Sequence, residues 1–288
     1  MQRLASATPQ RSERPIGMFD SGFGGLTVAR AVIDLLPDEH LVYVGDTGRY
    51  PYGAKPLADV AEYARQIARF LIDDHGAKVV VVACNTAASA VDLAHELEVP
   101  VIGVIEPGAR ALVQATRSGH VGVIGTVGTI GSGSYQRAVA AAVDDLVSAV
   151  DIHRDIHRDI HLACAACPGF VEFVERGTTS GDEITVLAER LLAPVREAKV
   201  DTLLLGCTHY PYLARVIGEV MGSDVVLVSS ADETAFALKL LLEQTDLLRT
   251  GTPGTHRFLS SGDVDWFRAL GRRLLGPELT DVGPVSFP

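Results

Sequence analysis

Val79-Val-Val-Val-Ala-Cys84-Asn-Thr86 and Thr202-Leu-Leu-Leu-Gly-Cys207-Thr-His209 are two versions of one pattern. Each is a short apolar run, then a small residue, a cysteine and polar residues. Runs this short, bounded by small and polar residues, fit strands buried on both faces, as parallel strands are. The same reading extends to residues 16–19, 41–45, 101–104, 121–124 and 225–228. Helical periodicity separates these runs, at 26–36, 57–74, 87–97, 109–115, 134–145, 183–198, 212–220, 233–242 and 266–275. Strand–helix alternation at this spacing predicts βαβ units and parallel sheet.

The chain also resembles itself upstream of the two cysteines. Ile16-Gly-Met-Phe-Asp20-Ser-Gly-Phe-Gly-Gly25 precedes one helical segment, and Val121-Gly-Val-Ile-Gly-Thr126-Val-Gly-Thr-Ile-Gly131 precedes another. The fold expected is therefore α/β: two pseudo-symmetric, doubly wound domains with mainly parallel sheets and the active site between them. Residues 1–105 and 230–288 would form the first domain, carrying Cys84. Residues 106–229 would form the second, carrying Cys207. The second half holds the extra length, because its motifs lie further apart.

Composition narrows the function. The chain has 288 residues, 47% of them hydrophobic, enough for a sizeable core. A net charge of −11 argues against a general nucleic-acid binder, which would carry a basic surplus. No apolar run approaches the ~18 residues of a membrane helix. Residues 1–14 are polar, lack the apolar stretch of a signal peptide and read as a disordered tail. Four cysteines are too few for a disulfide framework, so reduced thiols in the cytoplasm are expected.

Ligands of open parallel sheets bind beyond the carboxyl ends of the strands, where Cys84 and Cys207 both sit. Each precedes a helical segment, whose N-terminus can lower a thiol pKa below about 8.5. The Gly-rich exits lack both dinucleotide spacing and a P-loop lysine, and suit a small carboxylate better. Gly45 to Gly53 is a loop by its Gly and Pro content. Cys164-Ala-Ala-Cys167 has the spacing of a redox pair or half a zinc site, but buried or incidental thiols account for it better, since a zinc site would need two further ligands and only the nearby histidines offer them. Asp151 to His161 reads DIHRDIHRDIH; on a helix, His153, His157 and His161 would share a face, but the other positions recur just as regularly.

The stretches FDSGFGGLTV, VYVGDTGRYPYG, VVACNTAAS, VGVIGT, CPGFVEFVE, LLLGCTHYP and LVSSADETA, running from Phe19 to Ala235, together resemble the glutamate racemases of the cofactor-independent aspartate/glutamate racemase family. The resemblance implies cytoplasmic enzymes that interconvert L- and D-glutamate for peptidoglycan synthesis without cofactor or metal. It implies that Cys84 and Cys207 are the catalytic acid/bases, with Cys207 acting on L-glutamate and Cys84 on D-glutamate, and that Asp20 and His209 assist the thiols. Asp46 and Glu175 match further acids of these motifs. Ser21, Pro51, Tyr52, Gly53, Asn85, Thr86 and Thr208 match substrate-pocket positions, and Thr126 and Thr129 are expected there as well. Gly169 stands where a larger side chain is usual. That departure and the neighbouring repeat are expected to loosen the turn before Glu175. The implied partner is the small-molecule substrate, with no nucleic acid or membrane, and the expected assembly is a homodimer.

Chemistry supports two bases. Racemisation removes a proton from one face of Cα and returns one to the other, so a single group cannot serve a fixed substrate. Two related halves facing each other supply the pair. The readings that compete are a racemase of another acidic amino acid such as aspartate, a thiol redox protein built on Cys164 and Cys167, and an anion-binding module without catalysis.

Overall fold

A computed structural model describes residues 11–149 and 159–287. The strands are β1 (Ile16–Asp20), β2 (Leu41–Gly45), β3 (Val79–Val82), β4 (Val101–Gly103), β5 (His120–Gly125), β6 (His161–Ala166), β7 (Thr202–Gly206), β8 (Val226–Ser229), β9 (His256–Ser260) and β10 (Asp281–Pro284). The helices are α1 (Leu26–Leu35), α2 (Leu57–Asp73), α3 (Asn85–Ala90), α4 (Ile105–Ala115), α5 (Val127–Gly131), α6 (Ser134–Ala149), α7 (Phe170–Glu175), α8 (Asp182–Leu191), α9 (Ala193–Glu197), α10 (Ala214–Met221), α11 (Ser230–Gln244) and α12 (Val264–Leu274).

Two sheets result, ordered β10-β9-β2-β1-β3-β4 and β6-β5-β7-β8, with every strand pair parallel. The run β2-β1-β3-β4 has the same order as β6-β5-β7-β8, so the internal likeness of the sequence is a likeness of topology. The extra length of the second half lies between β5 and β6, where α5, α6 and the repeat intervene between Gly125 and His161.

Strand alternation assigns the cores. Ile16, Met18, Tyr43, Val79 and Val81 point to a cluster shared with α1, α4, α11 and α12. That cluster continues through Tyr135, Val139 and Ala142 of α6 to Val121, Val123 and Leu204 of the second sheet. Phe19, Val42, Val44, Val80 and Val82 turn the other way, onto α2. There Val60, Ala61, Ala64, Ile67, Ala68 and Leu71 recur every three to four residues as its buried face. Ile124, Leu203 and Leu205 bury against α8 and α10. Each full-sized apolar side chain taken out of water contributes about 1.5–3 kcal/mol.

Several expected elements differ. The helix expected at 87–97 ends at Ala90, and a 3-10 turn, Leu93–His95, follows, capped by Asp92 accepting from the Ala94 N–H at 3.0 Å. The helix expected at 183–198 divides at Leu192, with Pro194 in the first turn of α9, where a missing N–H does no harm. The expected start at Ala109 is four residues late: α4 begins at Ile105 and takes Pro107 into its first turn. Strands β6, β9 and β10 were not expected. His161–Ala166 has one large apolar residue, His256–Ser260 is largely polar, and Asp281–Pro284 has one strand-favouring residue, Val282, beside Gly283 and Pro284, so neither periodicity nor β-propensity marks them. Arg11–Glu13, expected to belong to a disordered tail, form a 3-10 turn, and the rest of that expected tail, residues 1–10, lies outside the described residues. Most of the DIHR repeat, including His153 and His157, lies outside the described residues.

At the amino ends of the first sheet's strands, Lys78 and Glu39 form an ion pair with Nζ–Oε2 2.5 Å and both side chains 1% exposed. Lys78 also donates to the Ser12 carbonyl, and the second Glu39 oxygen accepts from the Arg249 N–H at 2.8 Å. The pair thereby ties the N-terminal segment to the α11–β9 connection.

Candidate active site

Where strand order reverses, the loops leaving neighbouring strands diverge and open a crevice. β1 and β3 form one such pair, and β5 and β7 the other. Asp20 ends β1 and Cys84 lies just past β3, while Thr126 follows β5 and Cys207 follows β7. All four line a single cleft. Of the other expected positions, Ser21, Asn85, Thr86, Thr208 and His209 line it too, as do Pro51, Tyr52 and Gly53 from the loop after β2. Thr129, Asp46 and Glu175 do not.

Cys84 is the N-cap of α3, and its Sγ accepts from the Ala87 N–H at 3.4 Å. The expected lowering of its pKa is not found. Burial and then the Asp20 carboxylate push the thiol well above its usual range, against weaker pulls from the Ala87 N–H and Ser21. Asp20 is fully buried. Burial raises its own pKa, opposed by His209 and by the N–H groups of Gly25, Gly22 and Ser21. Its Oδ2 accepts from the Gly22 N–H at 3.0 Å, and its Oδ1 has no hydrogen-bond partner among the described residues. Asn85 donates through Nδ2 to the Tyr135 hydroxyl at 2.7 Å, and its own Oδ1 has no partner among the described residues.

Cys207 is placed differently. A 3-10 turn with proline, Tyr210–Leu213, separates it from α10, so the helix-dipole argument does not reach it. His209 stands beside it instead, with Nδ1 3.9 Å from Sγ, and Nε2 3.1 Å from Glu175 Oε1. Burial lowers the imidazole pKa, but the contacts to Cys207 and Glu175 and the charge of Asp20 outweigh it, pushing His209 up to about 10. An imidazolium stabilises negative charge on the sulfur it touches. Gly24 admits this geometry: a Cβ there would lie 2.3 Å from Thr208 Oγ1 and 2.4 Å from His209 Nδ1.

The expected residues outside the cleft support those inside. Asp46 is buried and accepts from Arg49 Nε at 2.7 Å, from Ser261 Oγ at 2.5 Å and from the Tyr52 hydroxyl. Thr129 is buried, with its Oγ1 3.0 Å from Thr126 Oγ1 and 3.3 Å from Thr86 Oγ1. The expected loosening at Gly169 is overturned. Its φ of 95° is one that glycine adopts without strain, and Glu175 is in place on His209.

The sequence reading missed Tyr50, Val127, Cys167, Pro168 and Glu172, all of which line the cleft. Tyr50 adjoins Pro51 in a loop already singled out, and the others lie in or beside quoted motifs; the signal was present, but not which side chains turn inward. Cys164 packs on the first core and Cys167 on the second, so the C-x-x-C thiols face opposite sides of the second sheet. Among the described lining residues there is no lysine or arginine. Recognition of an anion here falls to His209, hydroxyls and N–H groups.

Comparison with known proteins agrees with this geometry. The family model for Asp/Glu/Hydantoin racemase matches residues 26–238. The glutamate racemase of Parafrankia sp. (strain EAN1pec) is 49% identical over 284 residues, covering 96% of this chain and 97% of that protein. A glutamate racemase isoform from Bacillus anthracis superposes with a TM-score of 0.86 at 38% identity, covering 96% of this chain and 99% of that one. The glutamate racemase of Francisella tularensis, solved in complex with D-glutamate, gives 0.83 at 33% identity, covering 96% and 98%. With paired parallel sheets, two thiols at matching strand exits and this likeness along nearly its whole length, the chain belongs to the Asp/Glu/Hydantoin racemase family, among the glutamate racemases.

Proposed function

We propose that this amino-acid racemase interconverts L- and D-glutamate by a two-base reaction without cofactor, with Cys84 and Cys207 on opposite faces of Cα. The observation that carries the reading is that equivalent strand exits of two related halves deliver one thiol each to one cleft. In the L-to-D direction the Cys207 thiolate takes the α-hydrogen as a proton. The C–H electron pair stays at Cα and spreads into the α-carboxylate. The Cys84 thiol then protonates the opposite face. Cys207 leaves this turnover as a thiol and Cys84 as a thiolate, which is the state that runs the reverse. Burial and Asp20 hold the Cys84 thiol above its usual range, as a proton donor in this direction requires, and His209 stands beside Cys207. Hydroxyls and N–H groups around the cleft stabilise the developing charge.

Glutamate is preferred over aspartate because the relatives reported above are glutamate racemases. Circular dichroism on L-glutamate and L-aspartate tests this, and faster aspartate turnover rejects it. Cys84→Ala and Cys207→Ala are each expected to lower racemisation by about 10²–10⁴-fold or more, the usual loss on removing a general acid or base. Cα deuterium incorporation from D₂O into both enantiomers, with no cofactor added, is the direct measurement; full activity in either variant overturns the assignment. On the same reading the enzyme is a cytoplasmic homodimer that supplies D-glutamate to peptidoglycan synthesis.

A further inference from the structure

Tyr135 touches the flanks of both thiols. It lies in the first turn of α6 and is wholly buried. Its ring packs on Gly206, the residue before Cys207: a Cβ there would lie 2.8 Å from Tyr135 Cε2. Its hydroxyl accepts from Nδ2 of Asn85, the residue after Cys84, at 2.7 Å. Gly206 ends β7 of one sheet, and Asn85 opens α3 just beyond β3 of the other. One side chain therefore spans the two thiol-bearing segments, and an aromatic ring can neither shorten nor bend. The contacts of Cys84 Sγ with the Ala87 N–H and of the Asn85 carbonyl with Ser89 Oγ, at 3.4 and 2.7 Å, stay within α3. Thr86 and Asn85 are the residues of α3 that reach across, Thr86 to Thr126 Oγ1 at 3.1 Å and Asn85 to Tyr135.

We propose that Tyr135 is a positioning residue that sets the separation of the two thiols: its ring braces Cys207 through Gly206, and its hydroxyl holds Cys84 through Asn85. The inference rests on the two-base reading. Tyr135 is not among the residues that line the cleft, so it acts on the reaction only through these neighbours. Two bases that share one tetrahedral carbon must keep a fixed spacing, because rate falls steeply when a reacting group is displaced. Deleting the hydroxyl leaves the ring on Gly206 and Cys207 still braced. Asn85 is buried, so its freed amide N–H must find another partner, and the side chain turns to do so. Because Asn85 is joined to Cys84, that turn moves the thiol off its face of Cα. Thr86 keeps α3 against Thr126 meanwhile.

The test is Tyr135→Phe, assayed for glutamate racemisation and for elimination from L- and D-3-chloroglutamate. Elimination needs one thiolate. It takes the α-hydrogen as a proton, the C–H electron pair becomes the second Cα–Cβ bond, and chloride leaves with the C–Cl pair. The enamine tautomerises and is hydrolysed by water to 2-oxoglutarate and ammonium, and the 2-oxoglutarate is measured. Cys207 serves the L-enantiomer and Cys84 the D-enantiomer. The expected result is a fall of about 10–100-fold in kcat/KM for racemisation in both directions. Elimination from the D-enantiomer should fall with it, while elimination from the L-enantiomer stays at the wild-type rate. In an Asn85→Ala background, Tyr135→Phe should cause no further loss. Asn85→Ala alone should lower D-elimination more than L-elimination, which carries the test if the phenylalanine variant does not fold. Equal loss of both eliminations in folded protein, a loss confined to the L-enantiomer, unchanged racemisation, or further loss in the Asn85→Ala background each overturns the proposal. If Cys84→Ala does not retain L-elimination, or Cys207→Ala does not retain D-elimination, the two-base reading fails instead, whatever Tyr135→Phe does.

Discussion

A single hydrogen atom in place of a side chain decides the geometry beside Cys207. Gly24 follows β1 of the first sheet, and Thr208 and His209 follow β7 of the second, yet a methyl group at Gly24 would overlap both side chains. Gly24→Ala is therefore expected to drive the imidazole away from Sγ while sparing the cores, which lie elsewhere. Activity should fall on the order of 10–100-fold, as small displacements of catalytic groups commonly cause. The measurement is kcat alongside a thermal melt; a large loss of melting temperature with normal kcat would contradict it. Residue-level asymmetry also explains why the two thiols differ: Cys84 has a carboxylate and a backbone N–H for company, whereas Cys207 has an imidazole.

Between residue and domain, the loop after β2 is the element most dependent on its supports. Asp46 joins Arg49 and Tyr52 of that loop to Ser261 beyond β9, and the Arg49 guanidinium lies 4.2 Å from the Tyr63 ring centre and 4.9 Å from that of Phe287. Asp46→Ala strands three donors at once. The expected effect is a raised KM with a smaller change in kcat, because Pro51, Tyr52 and Gly53 line the cleft without holding the thiols. The accompanying loss of stability should be about 1–3 kcal/mol for the donors left unpaired, read from urea melts. The role of Asp46 as a motif acid was legible, but its place behind the loop was not, because Ser261 approaches only when β9 joins β2.

Over the whole molecule, chemistry and clasping occupy opposite ends of the first sheet. The cleft lies at the carboxyl ends of the strands and the Lys78–Glu39 pair at the amino ends. Lys78→Met leaves a buried carboxylate without its cation and should destabilise the protein by roughly 3–5 kcal/mol. Lys78→Met combined with Glu39→Leu should recover much of that loss. Both proteins should keep wild-type kcat at temperatures where they remain folded; a change in kcat would show that the two ends are coupled.

The apolar runs ending at Val82 and Gly206, and the cysteines that follow them, were sufficient for parallel strands, two related halves and a pair of thiols, because burial on both faces leaves a continuous apolar signature. Strands β9 and β10 carry no such signature; the places of β9 beside β2 and of β10 beside β9 depend on backbone hydrogen bonds and on the helices that cover them. Likewise, the sequence alone could mark His209 and Glu175 as chemically able residues. That they meet each other, that Tyr50 lines the same cleft, and that Thr129 and Asp46 stand behind it were decided by packing, since contacts between residues far apart in the chain have no local pattern to betray them.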